Sequence, residues 1–147
     1  MRNAVVGIGN LYRRDDGVGI HAVNRLRGMD IDIDAFDMST ANLELLDYVR
    51  GREKVAIIDA TVIGDEPGTV SRVKLSELRT TGMPGSHGLY LTSTLTLGYQ
   101  LYPDDMPKEV HLFTVEAGDV ETFSEELTPR VEASIPRLLI LVSETLS

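Results

Sequence analysis

Two short, uninterrupted apolar runs constrain the fold of this chain more than any other feature of its sequence. Residues 4–8 are followed at once by Gly9, and residues 55–58 are followed at once by Asp59. Apolar runs without polar alternation are typical of strands buried on both faces, as in a parallel sheet covered by helices. We therefore expect both segments to be interior strands of an α/β sheet.

The rest of the chain alternates between helical and extended patterns. This alternation predicts one α/β domain over residues 1–147, with three α/β/α layers and a mostly parallel five-stranded sheet. The strand at 69–75 follows its predecessor after a Pro67-Gly68 turn without an intervening helix, so we expect it to be antiparallel. The predicted segments are strands at 4–8, 31–36, 55–58, 69–75 and 110–115, and helices at 17–27, from Ser39 or Thr40 to Gly51, at 87–102 and from Thr128 to the C-terminus.

Glycine and proline supply the local predictions. Gly28 should end the first helix, and Pro136 should kink the last one. Residues 79–86 are rich in Gly, Pro and Thr and should form a loop. The buried stripe of the last helix should consist of its regularly spaced apolar residues Val131, Ile135, Leu138, Leu139 and Val142.

Composition excludes several classes of protein. The chain has no Cys, which rules out thiol nucleophiles, thiolate-bound zinc and iron–sulfur clusters. Its net charge of −9 would repel a phosphate backbone, so we expect no nucleic-acid partner. The longest apolar stretch, residues 138–142, is too short to cross a bilayer, and the N-terminus does not read as a signal peptide. We expect a cytoplasmic protein without membrane insertion.

Candidate functional residues follow the strands. In open α/β sheets, ligands bind beyond the carboxyl ends of the strands. Gly9, Asn10 and Asp16 follow the first predicted strand, Asp59 ends the third, and His87 stands in the loop before the third helix. Two carboxylates and an imidazole suit either a hard-metal site or acid–base chemistry. From the residues alone, both possibilities stay open.

Blander interpretations compete at several of these positions. Asp15 is expected to serve the start of its own helix and to point away from the site, because acids favour the first helical turn. Gly7 is expected to lie in a tight turn. His21 should be a surface or packing residue, and His111 should be buried in the sheet.

Three known kinds of site fit the sequence poorly. A dinucleotide fingerprint fails because its third glycine would fall on Tyr12. A receiver-domain site would need its acid pair directly at the strand end and a Lys after the fifth strand, whereas Lys108 precedes that strand. A serine triad is disfavoured because the G-x-S-x-G pattern does not occur.

Taken together, the motifs resemble the [NiFe]-hydrogenase maturation endopeptidase family. Residues 7–19 read G-I-G-N-L-Y-R-R-D-D-G-V-G, which is similar to the opening motif of that family. The strand ending in Asp59-Ala60, the following Pro67-Gly68-Thr69, the Ser86-His87-Gly88 loop and the Leu127-Thr128-Pro129 start of the last helix occur in the family order. The resemblance extends over essentially the whole chain.

The resemblance implies an activity and a site. Members of the family remove a C-terminal extension from the precursor of a hydrogenase large subunit after nickel insertion. By this resemblance Asp16, Asp59 and His87 contact the metal, Asp16 and Asp59 are the catalytic acids, and Gly9 and Asn10 bind substrate. The nickel arrives on the precursor, and other divalent ions such as cadmium or zinc are expected to bind the same donors. The acids could activate a water, or the metal could polarise the peptide carbonyl.

Two positions depart from the family pattern, and a second class of function stays open. Val115-Glu116-Ala117 stands where many members read closer to Gln-Pro, which suggests an archaeal or cofactor-F420-linked relative. Position 16 is Asp where some members have Glu, which shortens its reach by one methylene. The alternative function is a non-catalytic nickel-sensing or chaperone module on the same fold.

Overall fold

The computed structural model describes residues 1–75 and 85–147. A 3₁₀ turn at Arg14–Gly17 leads directly into the first helix. The strands and helices follow the predicted order, as β1 (Asn3–Ile8), α1 (Val18–Arg27), β2 (Ile33–Met38), α2 (Leu45–Val49), β3 (Lys54–Thr61), β4 (Val70–Lys74), α3 (Gly88–Leu101), β5 (Glu109–Glu116) and α4 (Pro129–Leu146).

The five strands form one sheet in the order β2-β1-β3-β5-β4. All neighbouring strands are parallel except β4, which pairs antiparallel with β5. The predicted fold class is therefore confirmed, including the single antiparallel strand. Because β1, β3 and β5 run in parallel, their carboxyl ends lie at the same edge of the sheet, which is where the candidate residues follow them.

The core consists of two apolar layers, one on each face of the sheet. Alternate residues of a strand point to opposite faces, so Ile58 and Phe113 pack with α1 and α4. Their neighbours Ile57 and Leu112 pack with α2 and α3. Each of these four side chains is fully buried, which stabilises the fold by about 1.5–3 kcal/mol per side chain. The five apolar residues predicted for the stripe of α4 are all buried.

Several predicted boundaries are wrong by a few residues. Helix α2 begins at Leu45 rather than near Ser39 or Thr40, because the Asn42 side chain accepts a hydrogen bond from the Glu44 amide and keeps the chain in a turn. Strand β2 lies two residues later than predicted. Gly28 does follow α1, but its φ of −82° is an ordinary right-handed value, so the helix ends without a left-handed glycine.

Gly7 does not lie in a turn, as we had expected, but within β1. A Cβ atom at this position would lie 2.1 Å from the backbone oxygen of Gly19 in α1. Gly7 therefore allows the first helix to pack directly against the first strand. Close helix–strand packing is achieved here without the glycine pattern of a dinucleotide site.

Three further predictions concern the helices and loops. Helix α4 continues through Pro136, and the kink stays a prediction. Residues 79–84 of the predicted 79–86 loop lie outside the described residues. No helix in the described part of the chain is long and apolar enough to cross a membrane.

Candidate active site

The first loop of the site is built around Asp16. This side chain is 7% exposed, and its Oδ2 accepts a hydrogen bond of 2.8 Å from the backbone amide of Asn10. A Cβ at Gly9 would lie 1.9 Å from the backbone oxygen of Asp16, so only glycine lets the two ends of the loop approach this closely. In this structure Gly9 and Asn10 hold Asp16, and their contact with substrate stays a prediction.

Asp15 does not serve the start of its own helix, and this expectation is wrong. Its fully buried carboxylate accepts hydrogen bonds from the amides of Gly118, Asp119 and Thr128 and from the Thr128 hydroxyl, at 2.7–3.0 Å. Thr128 is the N-cap of α4. Asp15 thus ties the loop that carries Asp16 to the connection between β5 and α4.

The second part of the site is a pair formed by Asp59 and His87. Asp59 lies near the end of β3 and is fully buried. Its Oδ2 accepts a hydrogen bond from the backbone amide of His87, and its Oδ1 accepts one from the Nδ1 of the same residue, both at 2.9 Å. Both carboxylate oxygens are therefore occupied by one histidine.

The backbone before His87 makes this approach possible. Gly85 has a φ of +102°, and a Cβ there would lie 2.7 Å from Asp59 Oδ2. Ser86 fastens the same turn to β3, because its amide and its hydroxyl both donate to the backbone oxygen of Ala60. His87 is then the N-cap residue of α3. The fixed turn places the imidazole against the end of β3.

The surroundings of His87 raise the pKa of its imidazole. The hydrogen bond to Asp59 raises the pKa of His87 above its usual value of 6.5, and burial opposes this shift. The charges of Asp59 and Asp16 raise the pKa further. Asp16 follows β1 and Asp59 lies near the end of the parallel strand β3, so the two acids and the histidine bound to Asp59 lie at the carboxyl edge of the sheet.

The donor set fits a metal ion only in part. No group of three or more His, Asp or Glu side chains among residues 1–75 and 85–147 is arranged to hold an ion. Asp59 uses both oxygens on His87, whereas His87 Nε2 forms no hydrogen bond with the described residues. A carboxylate on one imidazole nitrogen orients the other nitrogen toward a ligand or metal. Metal contact through Asp59 itself would use the remaining lone pairs of its two oxygens.

The other two histidines behave as predicted. His21 lies on α1, and its Nε2 is 2.9 Å from the backbone oxygen of Glu125. His111 is 4% exposed within β5, with its Nε2 3.2 Å from a carboxylate oxygen of Glu109. Burial lowers the pKa of His111 below 6.5. Neither residue is a site candidate.

Two features near the site were missed by sequence reasoning. The partners of Asp15 are 103 to 113 residues away in the sequence, so no local signal pointed to them. Val62 and Ile63, which directly follow β3, are 63% and 66% exposed. The sequence did contain a signal for this feature, because two branched apolar residues directly follow a strand-end acid. Exposed apolar residues next to a site can mark a surface that contacts a ligand or partner.

Comparisons with known proteins show which family this chain resembles in sequence. Residues 20–145 match the hydrogenase maturation protease family, a range that includes Asp59 and His87. The chain is 30% identical to the hydrogenase 2 maturation protease of Escherichia coli, over 92% of this chain and 84% of the relative. It is also 30% identical to the hydrogenase expression/formation protein HupD of Thiocapsa roseopersicina, over 97% of this chain but only 66% of HupD.

Solved structures show the same architecture. The hydrogenase maturating endopeptidase HybD of Escherichia coli superposes with a TM-score of 0.81 at 30% identity, covering 97% of this chain and 90% of HybD. The maturation protease HybD of Thermococcus kodakarensis superposes with a TM-score of 0.84 at 22% identity, covering all of both chains, and supports the fold. Sequence and fold thus agree, and the chain belongs to the hydrogenase maturation protease family.

Proposed function

We propose that this chain is an endopeptidase that removes the C-terminal extension of a [NiFe]-hydrogenase large-subunit precursor after nickel has been inserted. The observation that carries the proposal is the Asp59–His87 pair, with Asp16 at the same edge of the sheet, where ligands of such folds bind. Relatives described as hydrogenase maturation proteases support the reaction class.

The three side chains have different roles in this proposal. Asp16 and His87 contact the nickel that the precursor carries, since one carboxylate oxygen and one imidazole nitrogen suit a borderline divalent ion. Asp59 fixes the orientation of the His87 ring and offers the remaining lone pairs of its carboxylate to the ion. Cadmium and zinc ions bind the same donors in the absence of precursor.

Hydrolysis adds water across the peptide bond of the precursor. The C–N bond breaks, the hydroxyl of the water joins the carbonyl carbon, and the proton passes to the leaving amine. Asp16 and Asp59 are the acids nearest to the bound nickel in this arrangement, and nickel that recognises the site would position the bond beside them. Nickel on the substrate then serves as the signal that the precursor is ready.

The direct test is incubation of the purified chain with a nickel-loaded and a nickel-free large-subunit precursor. We expect only the nickel-loaded precursor to be shortened, as read by gel mobility. Binding without shortening would instead support a nickel-sensing or chaperone module. Shortening of both forms would contradict the role of nickel but not the protease activity.

Two details of the proposal have their own measurements. Cell fractionation tests the expected cytoplasmic location of processing. Growth on different hydrogenase substrates, with and without the gene for this chain, identifies which hydrogenase depends on it. An F420-linked hydrogenase would agree with the departure at Glu116.

A further inference from the structure

Glu116, at the end of β5, is a buried acid that the proposed reaction does not use. Its side chain is 3% exposed, and it forms no ion pair with the described residues. Its carboxylate instead accepts hydrogen bonds from the backbone amides of Ile63 and Gly64 at 3.2–3.3 Å. Burying a carboxylate is costly, and these amide donors offset part of that cost.

Glu116 lies on the same face of the sheet as Asp59. In the ladder between β3 and β5, Asp59 is paired with Thr114 and Thr61 with Glu116. Side chains two residues apart on a strand share a face, so Glu116 lies on the face of Asp59, two pairing rows further toward the carboxyl edge. The carboxylate therefore holds the backbone of Ile63 and Gly64, which continue the chain beyond β3.

That stretch exposes two branched apolar side chains, of which Val62 borders a cavity. Val62 and Ile63 are 63% and 66% exposed, although they directly follow a fully buried strand. Val62 borders a cavity of about 240 Å³ whose other lining residues are Ala117, Gly118, Asp119, Val120 and Glu121. A hydrogen bond of 2.9 Å from the Ala117 amide to the Thr61 oxygen joins the chain after β5 to the end of β3 beside this cavity.

We propose that Val62 and Ile63 form a docking element for an apolar segment of the precursor that flanks the cleaved bond, and that Glu116 is the positioning residue for this element. The inference rests on the proposed function. The occupant follows from continuity with the site, because Val62 lies three residues beyond Asp59 on the same strand extension and next to an open cavity.

The first test substitutes the exposed residues and measures processing of nickel-loaded precursor at several precursor concentrations. We expect Ile63→Ser to raise KM about 3- to 10-fold with kcat unchanged, since it removes apolar contact made equally in the bound and transition states. The matched control is Ile140→Ser on α4, whose side chain is 58% exposed on another element. The control should leave both constants unchanged.

The second test separates positioning from mere stability. Glu116→Ala removes the acceptor for the Ile63 and Gly64 amides, so we expect a rise in KM similar to that of Ile63→Ser. Glu116→Gln keeps one acceptor oxygen at the same distance along the side chain, so it should restore most of the wild-type KM. Thermal unfolding of all variants shows whether each remains folded at the assay temperature.

The outcomes distinguish this inference from the proposed function. If wild-type protein shortens no precursor, the proposed function fails. If wild-type protein is active but Ile63→Ser behaves like Ile140→Ser, the proposal that Val62 and Ile63 dock the precursor is wrong. A changed oligomeric state of Ile63→Ser in size-exclusion chromatography, with KM unchanged, would assign the surface to a second copy of this chain and also overturn the inference. An equal change in KM for Glu116→Ala and Glu116→Gln would show that Glu116 does not position this element.

Discussion

Asp15 and Asp16 are adjacent in the sequence, but the folded chain uses their carboxylates for different purposes. The Asp15 carboxylate accepts four hydrogen bonds from the connection before α4, whereas within residues 1–75 and 85–147 the Asp16 carboxylate accepts one, from the Asn10 amide. The residue-level prediction for Asp16 followed from a motif next to a strand. The role of Asp15 depends on residues over 100 positions away, which no local pattern reveals.

At the residue scale, Asp15→Ala should lower the free energy of unfolding by about 2–4 kcal/mol. Four donors lose their buried acceptor, and the first turn of α4 is no longer held by it. Urea denaturation measures the change. Asp104→Ala is the control, because Asp104 is exposed and should change stability by less than about 0.5 kcal/mol. Similar changes in the free energy of unfolding for the two variants would contradict the stabilising role that we assign to Asp15.

At the scale of elements, the patterns predicted which strands and helices exist better than where they begin. Periodicity identified α4 and its buried stripe, because an amphipathic pattern extends over many residues. The start of α2 was wrong because one side-chain contact, from Asn42 to the Glu44 amide, decides it. The contact of Gly7 with Gly19 was missed because it depends on packing between two elements.

The turn before α3 gives a prediction that links an element to the site. Gly85→Ala should reduce processing about 100-fold, because its Cβ would displace the turn from Asp59 and move His87. Gly51→Ala is the matched control, since its φ of +78° is also positive but a Cβ there meets no atom closer than 3.5 Å. The control should lose about 1–2 kcal/mol of stability and keep its activity. Equal activity in the two variants would show that the turn does not position His87.

Helix α4 gives a prediction about stability alone. Pro136 cannot donate a backbone hydrogen bond inside the helix, so Pro136→Ala should stabilise the protein by about 1–3 kcal/mol. Pro129 occupies the start of the same helix, where proline is favourable, so Pro129→Ala should not stabilise it. Thermal unfolding compares the two. A stabilisation of equal size at both positions would mean that the position of the proline within the helix is irrelevant.

At the scale of the whole molecule, the convergence of the site followed from topology. Parallel strands end at one edge, so residues that follow β1 and β3 were expected to meet there. The contact between Asp59 and His87 could not be predicted, because it depends on the conformation of Gly85 and on the turn held by Ser86. The sequence thus indicated which residues meet but not which atoms are engaged.

Stability should depend on pH through two histidines with opposite effects. Burial lowers the pKa of His111 below 6.5, whereas Glu109 opposes the shift and Arg72 and Lys74 add to it. The unfolded chain therefore binds a proton that the folded chain does not, so this contribution destabilises the protein as the pH falls below 6.5. His87 has a raised pKa, so its stabilising contribution is fully present below 6.5 and is lost as the pH rises through its folded pKa.

Urea denaturation between about pH 5 and 8 tests both signs in the histidine range. His111→Gln should make the loss of stability at low pH smaller than in the wild type. His87→Gln should make that loss larger, because the opposing contribution is absent. A larger loss in His111→Gln, or a smaller loss in His87→Gln, would contradict the environment described for that side chain.

The central claim is that the carboxyl edge of the sheet, where Asp16, Asp59 and His87 meet, carries out the cleavage. The most direct test is the intact mass of a nickel-loaded large-subunit precursor after incubation with wild-type protein, Asp16→Asn, Asp59→Asn, His87→Gln or the control His21→Gln. We predict that wild-type protein and His21→Gln yield two products whose masses sum to the precursor plus one water. The three site variants should remain folded and leave the precursor mass unchanged, and cleavage at the wild-type rate by any of them would contradict the claim.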